Sequence, residues 1–133
     1  MIKFILYGFL SVFCLTACSK KSDEITDNEW VAISIKLENG TFLTPVADYL
    51  LTFDNGSKFK LQLDKNSCMG RMTFGENRVS VDDGISCTEA CCDSEFAEIL
   101  VESLQDVDTW RIIETNRLLF TNKSGLEVLF EKK

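Results

Sequence analysis

The residues of this chain that could do chemistry are its cysteines, because the sequence contains 6 cysteines and no histidine. Cys87, Cys91 and Cys92 lie within the short stretch ISCTEACCDSEF, and Cys68 lies upstream of it. Such a group of thiols could bind a soft metal ion, form a redox centre or pair as disulfides. Because histidine is missing from the sequence, Ser–His and Cys–His nucleophilic schemes are excluded, together with the commonest general base.

Asp82 and Asp83 are the closest candidates for a catalytic pair of carboxylates. Gly84 follows them directly, which favours a solvent-exposed turn over an acid–base site. The sequence contains neither a glycine-rich phosphate-binding loop nor the spacing of a calcium-binding loop. We therefore predict that the protein is not an enzyme and carries no cofactor.

The N-terminal residues indicate the compartment. Lys3 is followed by an apolar run over residues 4–15, which is typical of a secretory signal peptide and too short for a comfortable membrane span. Leu15-Thr16-Ala17-Cys18 resembles the bacterial lipobox, whose cysteine is lipidated on its thiol and becomes the first residue after cleavage. This resemblance implies an envelope lipoprotein anchored through Cys18.

Three parts are therefore predicted: a lipoprotein signal peptide over residues 1–17, lipidated Cys18 with a flexible tether over residues 18–28, and one folded domain over residues 29–133. The tether is predicted because SKKSDEITDNE is polar and acidic. The alternative is an uncleaved N-terminal anchor, with Cys18 as a thiol beside the membrane. Both interpretations place the folded part outside the cytoplasm.

Location and charge limit the partners. Ser19 after the lipidated cysteine resembles outer-membrane lipoproteins, and residues 20–24 are loosely similar to surface-export signals, so that a periplasm-facing and a surface-exposed orientation both stay open. The formal net charge is −7, which disfavours nucleic acid and anionic lipid head groups as partners. We expect a monomer held at the membrane by its N-terminal lipid, with an unidentified envelope protein or small ligand as its partner.

Short strands dominate the predicted domain. Residues 30–37 alternate with Val31, Ile33, Ile35 and Leu37 on one face, as in a strand buried on one side. The clearest hairpin joins residues 49–53 to 58–63 through Asn55-Gly56, because Asn and Gly tolerate the positive φ angles of tight turns. Further strands are predicted at residues 71–74, 78–81, 110–113, 118–120 and 126–130.

One helix is predicted after the cysteines, with Asp93 accepting hydrogen bonds from its first free amides. Its apolar positions recur at intervals of three and four residues and form one stripe: Phe96, Ile99, Leu100, Leu104 and Val107. The opposite side is acidic, so that the helix should cover a sheet and face water. The larger aromatic residues are assigned to the core: Trp30, Phe42, Phe53, Phe74 and Trp110.

This order of elements resembles the META domain family, of the type found in the heat-shock lipoprotein HslJ. The landmarks that carry the resemblance are Trp30, Asn39-Gly40, Leu51-Thr52-Phe53-Asp54, Cys68 with Gly70, Thr88 to Cys92, Phe96 with Leu104, and Leu118 to Phe130. The resemblance implies an α+β fold: a small β-rich domain in which a strongly curved antiparallel sheet of about 7–8 strands is covered by one helix. It also implies a non-catalytic envelope protein, with a possible part in envelope stress.

The four mature cysteines, besides Cys18, allow three disulfide connectivities, and an oxidising compartment favours disulfides. Pairing Cys91 with its neighbour Cys92 is disfavoured because it would strain the backbone. The family register implies Cys68 with Cys92 and Cys87 with Cys91, and the swapped arrangement is the runner-up. Two alternatives stay open, namely a soft-metal site for copper or zinc and a thiol redox centre, although the spacing fits neither a pair of Cys-x-x-Cys knuckles nor one Cys-x-x-Cys motif.

Overall fold

A computed structural model describes residues 19–54 and 56–133 of the chain. These residues form two helices and nine strands, in the order α1 (Ser19–Thr26), β1 (Trp30–Lys36), β2 (Phe42–Leu43), β3 (Leu50–Asp54), β4 (Lys58–Gln62), β5 (Ser67–Phe74), β6 (Val79–Cys87), α2 (Glu95–Gln105), β7 (Val107–Ile113), β8 (Arg117–Asn122) and β9 (Glu127–Lys132). The predicted signal peptide and Cys18 lie outside the described residues, as does Asn55 of the predicted hairpin turn.

All nine strands belong to one antiparallel sheet in the order β6-β5-β4-β3-β1-β9-β8-β7, with β2 added to β1. The sheet curls until its two edges nearly meet. Between β6 and β7 the junction consists of a bridge from Arg78 to Thr109 and a hydrogen bond of 3.1 Å from the Trp110 amide to the Asn77 carbonyl. The predicted strongly curved antiparallel sheet is therefore confirmed, with one strand and one helix more than expected.

The predicted central hairpin is present as β3 and β4. Its strands pair from Leu50 opposite Gln62 to Asp54 opposite Lys58. Gly56 in the turn has a φ of +80°, a conformation that glycine adopts without steric cost. The last hairpin, β8 and β9, is also where the sequence predicts it.

The predicted inward face of β1 is wrong in its first half. Trp30 and Ala32 are buried, whereas Val31 and Ile33 are only half-buried. The pairing of β1 with β9 shifts between Ala32 and Ser34, which marks a β-bulge. Because a bulge inserts one residue, the alternation changes phase there, and Ile35 is buried as predicted.

Helix α2 carries the predicted apolar stripe as far as Leu104, whereas Val107 already belongs to β7, and the cap is also different. Ser94, rather than Asp93, is the N-cap residue, and its hydroxyl accepts a hydrogen bond from the Ala97 amide. The buried residues of the helix are Phe96, Ala97, Leu100, Ser103 and Leu104. The Phe96 ring stacks on Tyr49 with 5.1 Å between the ring centroids, which joins the first turn of α2 to the start of β3.

Helix α1 replaces the predicted flexible tether over the part of that segment that the structure describes. Ile25 has no exposed surface and belongs to the main core. Its carbonyl accepts a hydrogen bond of 2.8 Å from the indole nitrogen of Trp30, and Lys132 approaches Glu24 to 3.4 Å. The segment before β1 is therefore part of the domain, because Ile25 is packed in its core and Glu24 lies beside Lys132.

The two helices lie at opposite ends of the curled sheet. Helix α2 connects the end of β6 to the start of β7, next to the start of β3. Helix α1 precedes β1 and lies beside Ser57 and Phe74, at the end of β3 and β5. We call these the α2 end and the α1 end. Of the aromatic residues assigned to the core, Phe42 is the exception, since it is 63% exposed on the edge strand β2.

Candidate functional site

All four cysteines in the described part of the chain are paired, but not as predicted. The disulfides join Cys68 to Cys87 and Cys91 to Cys92. The pairings of Cys68 with Cys92 and Cys87 with Cys91, and the swapped arrangement, are therefore wrong. The adjacent pair that the sequence argument disfavoured is present, with Cys92 at a φ of +82°.

The Cys68–Cys87 disulfide lies within the sheet. The two residues are directly opposite on β5 and β6, with 4.0 Å between their Cα atoms. Cys68 is fully buried opposite Leu61, whereas Cys87 is exposed at the end of β6. This disulfide fastens the two strands at the α2 end.

The register of β5 and β6 explains this pairing. From Phe74 opposite Val79 to Arg71 opposite Asp82 the ladder is regular, and its continuation would place Ile85 opposite Cys68. A bulge in β6 adds two residues, so that Cys87 reaches that place instead. The bulge contains Asp83 and Gly84, both with positive φ angles, of 58° and 76°. The turn predicted at Asp82-Asp83-Gly84 is thus a bulge inside a strand.

The Cys91–Cys92 disulfide lies in the loop between β6 and α2, and both of its residues are exposed. The two pairs are separate, so the cysteines do not form one four-thiolate site. Across residues 19–54 and 56–133, no group of three or more cysteine, aspartate or glutamate side chains is arranged to hold a metal ion.

The buried side chain of Asn66 holds this loop in place. Its carbonyl oxygen accepts hydrogen bonds from the Thr88 hydroxyl at 2.7 Å and from the Ala90 amide at 2.8 Å. Its amide nitrogen donates to the Ala90 carbonyl at 2.7 Å and to the Asp93 carboxylate. Asn66 is 5% exposed, so these partners replace water for each of its polar atoms. We call the side chains of Asn66, Asp64 and Asp93 the loop clasp.

Two carboxylates complete the loop clasp. Asp64 accepts hydrogen bonds from the Tyr49 hydroxyl at 2.7 Å, the Ser94 amide at 3.0 Å and the Ser94 hydroxyl at 2.9 Å. Burial by itself would raise the pKa of Asp64, but these hydrogen bonds outweigh it and hold the pKa below its usual value. Burial is also the main reason why the pKa of Tyr49 is raised.

Asp93 fastens the other side of the loop. Its Oδ1 accepts hydrogen bonds from the Lys65 amide at 2.7 Å and from the Asn66 amide at 3.3 Å. Burial again opposes ionisation of Asp93, while the side chain of Asn66 and these two amides lower its pKa. The β4–β5 loop and the cysteine loop are thus joined by charge-assisted hydrogen bonds, which are about twice as strong as neutral ones.

The sequence analysis did not identify the loop clasp. Its signal was present as the polar run Asp64-Lys65-Asn66 directly after a cleanly alternating strand. Such a run also fits an ordinary turn. Only the tertiary structure brings it against residues 88–94, more than twenty residues further along the chain.

A surface cleft of about 580 Å³ is the second candidate site. It lies on the outer face of β3, β4, β5 and β6, beside the bulge of β6. Its lining comes from Thr52, Asp54, Lys58, Phe59, Lys60, Met69, Gly70, Arg71, Asp82, Asp83, Gly84 and Ser86. Because a bulge bends its strand and increases the local twist, the extra residues of β6 account for this concave surface.

The cleft combines cationic, anionic and apolar groups. Lys58 lies directly opposite Arg71, and Lys60 lies directly opposite Met69. Each of these two cations also has a carboxylate directly opposite it on the next strand, Asp54 for Lys58 and Asp82 for Arg71, which offsets the repulsion between them. Met69 is 63% exposed, which is unusual for an apolar side chain with neighbours on both sides.

Gly70 keeps the inner side of this region closely packed. A Cβ atom at Gly70 would lie 2.8 Å from the Phe59 ring and 3.3 Å from the Gly84 carbonyl. The lack of a side chain therefore lets Phe59 cover the backbone of β5 from inside the barrel. The backbone of Gly70 thus lies between the cleft on the outer face and the Phe59 ring on the inner face.

The cleft exposes groups that a ligand could contact. The Asp82 carboxylate accepts a hydrogen bond from the Thr73 hydroxyl at 2.6 Å and is exposed to solvent. Ion pairs to Lys58, Lys60 or Arg71 and apolar contact with Met69 could hold a ligand of mixed polarity. Arg71 is the arginine that lines the cleft. Arg78 lies outside it and is paired with Asp108 at 2.7 Å.

Comparison with known proteins identifies the family. The family model described as META domain matches residues 23–133. The chain belongs to the META domain family. No curated protein sequence matches this chain. The match begins within α1, which agrees with the packing of Ile25 in the domain core.

Solved structures show the same fold at low sequence identity. An NMR structure of a protein from Burkholderia xenovorans matches with a TM-score of 0.69 and 17% identity, over 84% of this chain and 86% of that chain. A second NMR structure matches with a TM-score of 0.60 and 10% identity, over 83% of this chain and 92% of that chain.

A crystal structure of a DUF4847 family protein from Bacteroides vulgatus matches with a TM-score of 0.56 and 13% identity, over 80% of this chain and 92% of that chain. None of these names indicates a catalytic family.

In the described part of the chain, neither helix is long and apolar enough to span a membrane.

Proposed function

We propose that this META protein is a non-enzymatic lipoprotein of the bacterial cell envelope. In this proposal, acylated Cys18 anchors it in the outer membrane, and its disulfide-stapled domain binds an envelope protein or a small ligand. The anchor rests on the signal-peptide pattern over residues 1–17 and on the lipobox resemblance of residues 15–18. A part in the response to envelope stress belongs to the same proposal.

The cleft beside the β6 bulge carries the binding part of the proposal. It gathers Lys58 and Arg71 opposite each other and leaves Met69 63% exposed. Exposure of Met69 does not stabilise the isolated domain, and a partner with an apolar group for Met69 and negative charge near Lys58, Lys60 and Arg71 would bury it. This combination supports recognition of a protein or a small ligand through ion pairs surrounding an apolar contact.

A photo-crosslinking residue in place of Met69, in the full-length protein in intact cells, tests the site. We expect one discrete adduct from this position and none from an equally substituted Glu127, which lies on β9 away from the cleft. The adduct should disappear when Lys58→Glu and Arg71→Glu are combined. Equal crosslinking from both positions, or an adduct insensitive to the charge reversal, would contradict a specific site.

A deletion of Asp83 and Gly84 tests the cleft independently of the Cys68–Cys87 disulfide. Removing these two residues restores a regular ladder in which Cys87 still lies opposite Cys68, because the bulge adds two residues to β6. The disulfide should form while the concave surface is lost. We expect this variant to remain folded and to lose the Met69 adduct, whereas retention of the adduct would show that the bulge does not form the site.

Mass spectrometry of the intact protein from the native envelope tests the anchor. We expect a mature N-terminus at Cys18 carrying acyl chains, and no residues 1–17. A Cys18→Ala variant should remain unacylated in membranes as the uncleaved precursor. A wild-type chain that retains residues 1–17, or a free Cys18 thiol, would contradict the lipoprotein proposal.

Thiol chemistry at Cys91–Cys92 is a second candidate function, favoured by the exposure of both residues in a loop. In it, two equivalents of a low-molecular-weight thiol reduce the disulfide to two thiols and are themselves oxidised to one disulfide. The test is thiol–disulfide exchange with glutathione, compared between wild type and the Cys91→Ser, Cys92→Ser double variant. Equal exchange rates in both would exclude this function.

A further inference from the structure

We infer that the α1 end of the barrel is held against the lipid bilayer and that the α2 end, with the Cys91–Cys92 loop, points away from it. The juxtaposition of the acylation site with a docked helix carries this inference. It rests on the proposed lipidation of Cys18 and adds the orientation of the domain on the membrane.

Helix α1 leaves little free chain between the anchor and the domain. The helix begins at Ser19, directly after Cys18. Ile25 is fully buried in the main core, and its carbonyl is held by the Trp30 indole at 2.8 Å. Asn28 donates a further hydrogen bond of 2.6 Å to the Glu24 carbonyl. A helix whose side chain is buried in the core does not let the domain rotate freely relative to the lipid anchor.

Chain length gives the scale of this constraint. The seven residues that follow Cys18, as far as Ile25, rise about 10 Å as a helix and cannot exceed about 25 Å even when fully extended. A disordered tether as far as Glu29 would reach almost 40 Å and would let the domain turn freely. The docked helix therefore allows only the α1 end of the domain to lie against the bilayer.

The elements at the α1 end are the ones brought to the bilayer. Lys132 links β9 to Glu24 of α1 at 3.4 Å, and its amide donates to the Asn116 carbonyl at 2.8 Å in the β7–β8 turn. That turn therefore lies beside α1. The β1–β2 turn, with Glu38, lies at the opposite end, about 20 Å away by the length of a strand of six residues.

Fluorescence quenching on vesicles tests this orientation. The acylated protein would be reconstituted into phosphatidylcholine vesicles that contain a nitroxide-labelled lipid head group. One sample would carry a fluorophore at Asn116 and the other at Glu38, each attached through an azide-bearing residue so that no new cysteine is introduced. We expect quenching to be at least about twofold stronger at Asn116, because quenching falls steeply over the expected 20 Å.

A flexible linker provides the matched control. Inserting about 15 Gly and Ser residues between Cys18 and Ser19 should make quenching equal at the two positions, because such a linker behaves as a random coil. The same linker added after Lys133 should change nothing. Equal quenching in the parent protein would overturn the inference. So would unequal quenching that survives the N-terminal linker, since the domain surface itself would then set the orientation.

Failure of the anchor is distinguished from failure of the orientation. If mass spectrometry shows no acylation in the cell, the proposed function fails. The same quenching measurement, on residues 18–133 coupled through Cys18 to a maleimide-bearing lipid, would still report whether α1 orients the domain.

Discussion

The two disulfides of this domain differ in what they connect. Cys68–Cys87 joins two strands across a sequence separation of 19 residues, and one of its cysteines is fully buried. Cys91–Cys92 joins neighbours in the chain and lies in an exposed loop. The first closes a loop of a size that disfavours the unfolded chain, whereas the second closes no loop.

This difference assigns the two pairs to different roles. A crosslink whose value comes from loop closure is a staple, and Cys68–Cys87 has that geometry. A crosslink between neighbours in the chain hardly lowers the entropy of the unfolded state. It could stabilise the protein only by fixing the conformation of its own loop. That loop is already held by Asn66, Asp64 and Asp93. Both cysteines of this loop are exposed to solvent at the α2 end.

The largest expected effect separates the two disulfides directly. The Cys68→Ala, Cys87→Ala double variant should lose about 3 kcal/mol of unfolding free energy in the chain-entropy treatment of a loop of this size. The matched Cys91→Ala, Cys92→Ala variant should lose less than about 0.5 kcal/mol. Urea unfolding without reductant measures both. Equal losses would break the comparison.

A second effect concerns the loop clasp. Asn66→Ala should cost about 2–3 kcal/mol, because it removes a buried amide that bonds to both polar groups of Ala90 and to Oδ2 of Asp93, although Oδ1 of Asp93 keeps its two backbone donors. Hydrogen exchange should rise in residues 88–93, while the pairing of β5 with β6 stays protected. Asn116→Ala, in an exposed turn, is the control and should change little. Unchanged exchange in the loop would show that Asn66 does not hold it.

Acid should produce a smaller effect in the same region. Because the folded pKa values of Asp64 and Asp93 are lowered, their contribution to stability is present above about pH 4 and is lost as the pH falls through those values. Hydrogen exchange as a function of pH should show the cysteine loop opening before the sheet. Asp64→Asn should flatten this dependence, and Asp48→Asn, at an exposed position, should not. Loss of the sheet and the loop together would contradict a local clasp.

The smallest effect on stability should come from reduction of the exposed pair. Under increasing dithiothreitol, Cys91 and Cys92 should become alkylated while Cys68 and Cys87 stay linked, because access limits thiol attack. Peptide mass spectrometry follows both pairs, and the melting temperature should hardly change until the second pair opens. The reverse order of reduction would make Cys68–Cys87 the labile pair and exchange the two assigned roles.

Local patterns made much of the fold predictable. The hairpin around Gly56 and the stripe from Phe96 to Leu104 follow from residue periodicity and turn chemistry, which act over a few neighbours. Bulges did not follow from these patterns, because a strand with one or two inserted residues has the same residue types as a regular strand. The buried face of β1 was therefore wrong before Ser34, and strand β6 was read as ending before Asp82.

The disulfide pairing shows how a local irregularity decides a distant contact. The sequence restricted the four cysteines to three connectivities, and the family register pointed to the wrong one. Two residues with positive φ angles in β6 shift the register so that Cys87, rather than Ile85, faces Cys68. The same bulge forms the cleft on the outer face. Both features depend on strand register, which is set by the whole sheet.

The sequence by itself determined the family, the antiparallel class of the fold and the main helix, because hydrophobic periodicity and turn residues act locally. It also carries the lipobox pattern on which the anchor is proposed. Only the tertiary structure decided that Ile25 docks α1 into the core, that Asn66 clasps the cysteine loop and that the cysteines pair as they do. Each of these depends on contacts between residues brought together by the closed curvature of the sheet, and such contacts leave no periodic trace in the chain.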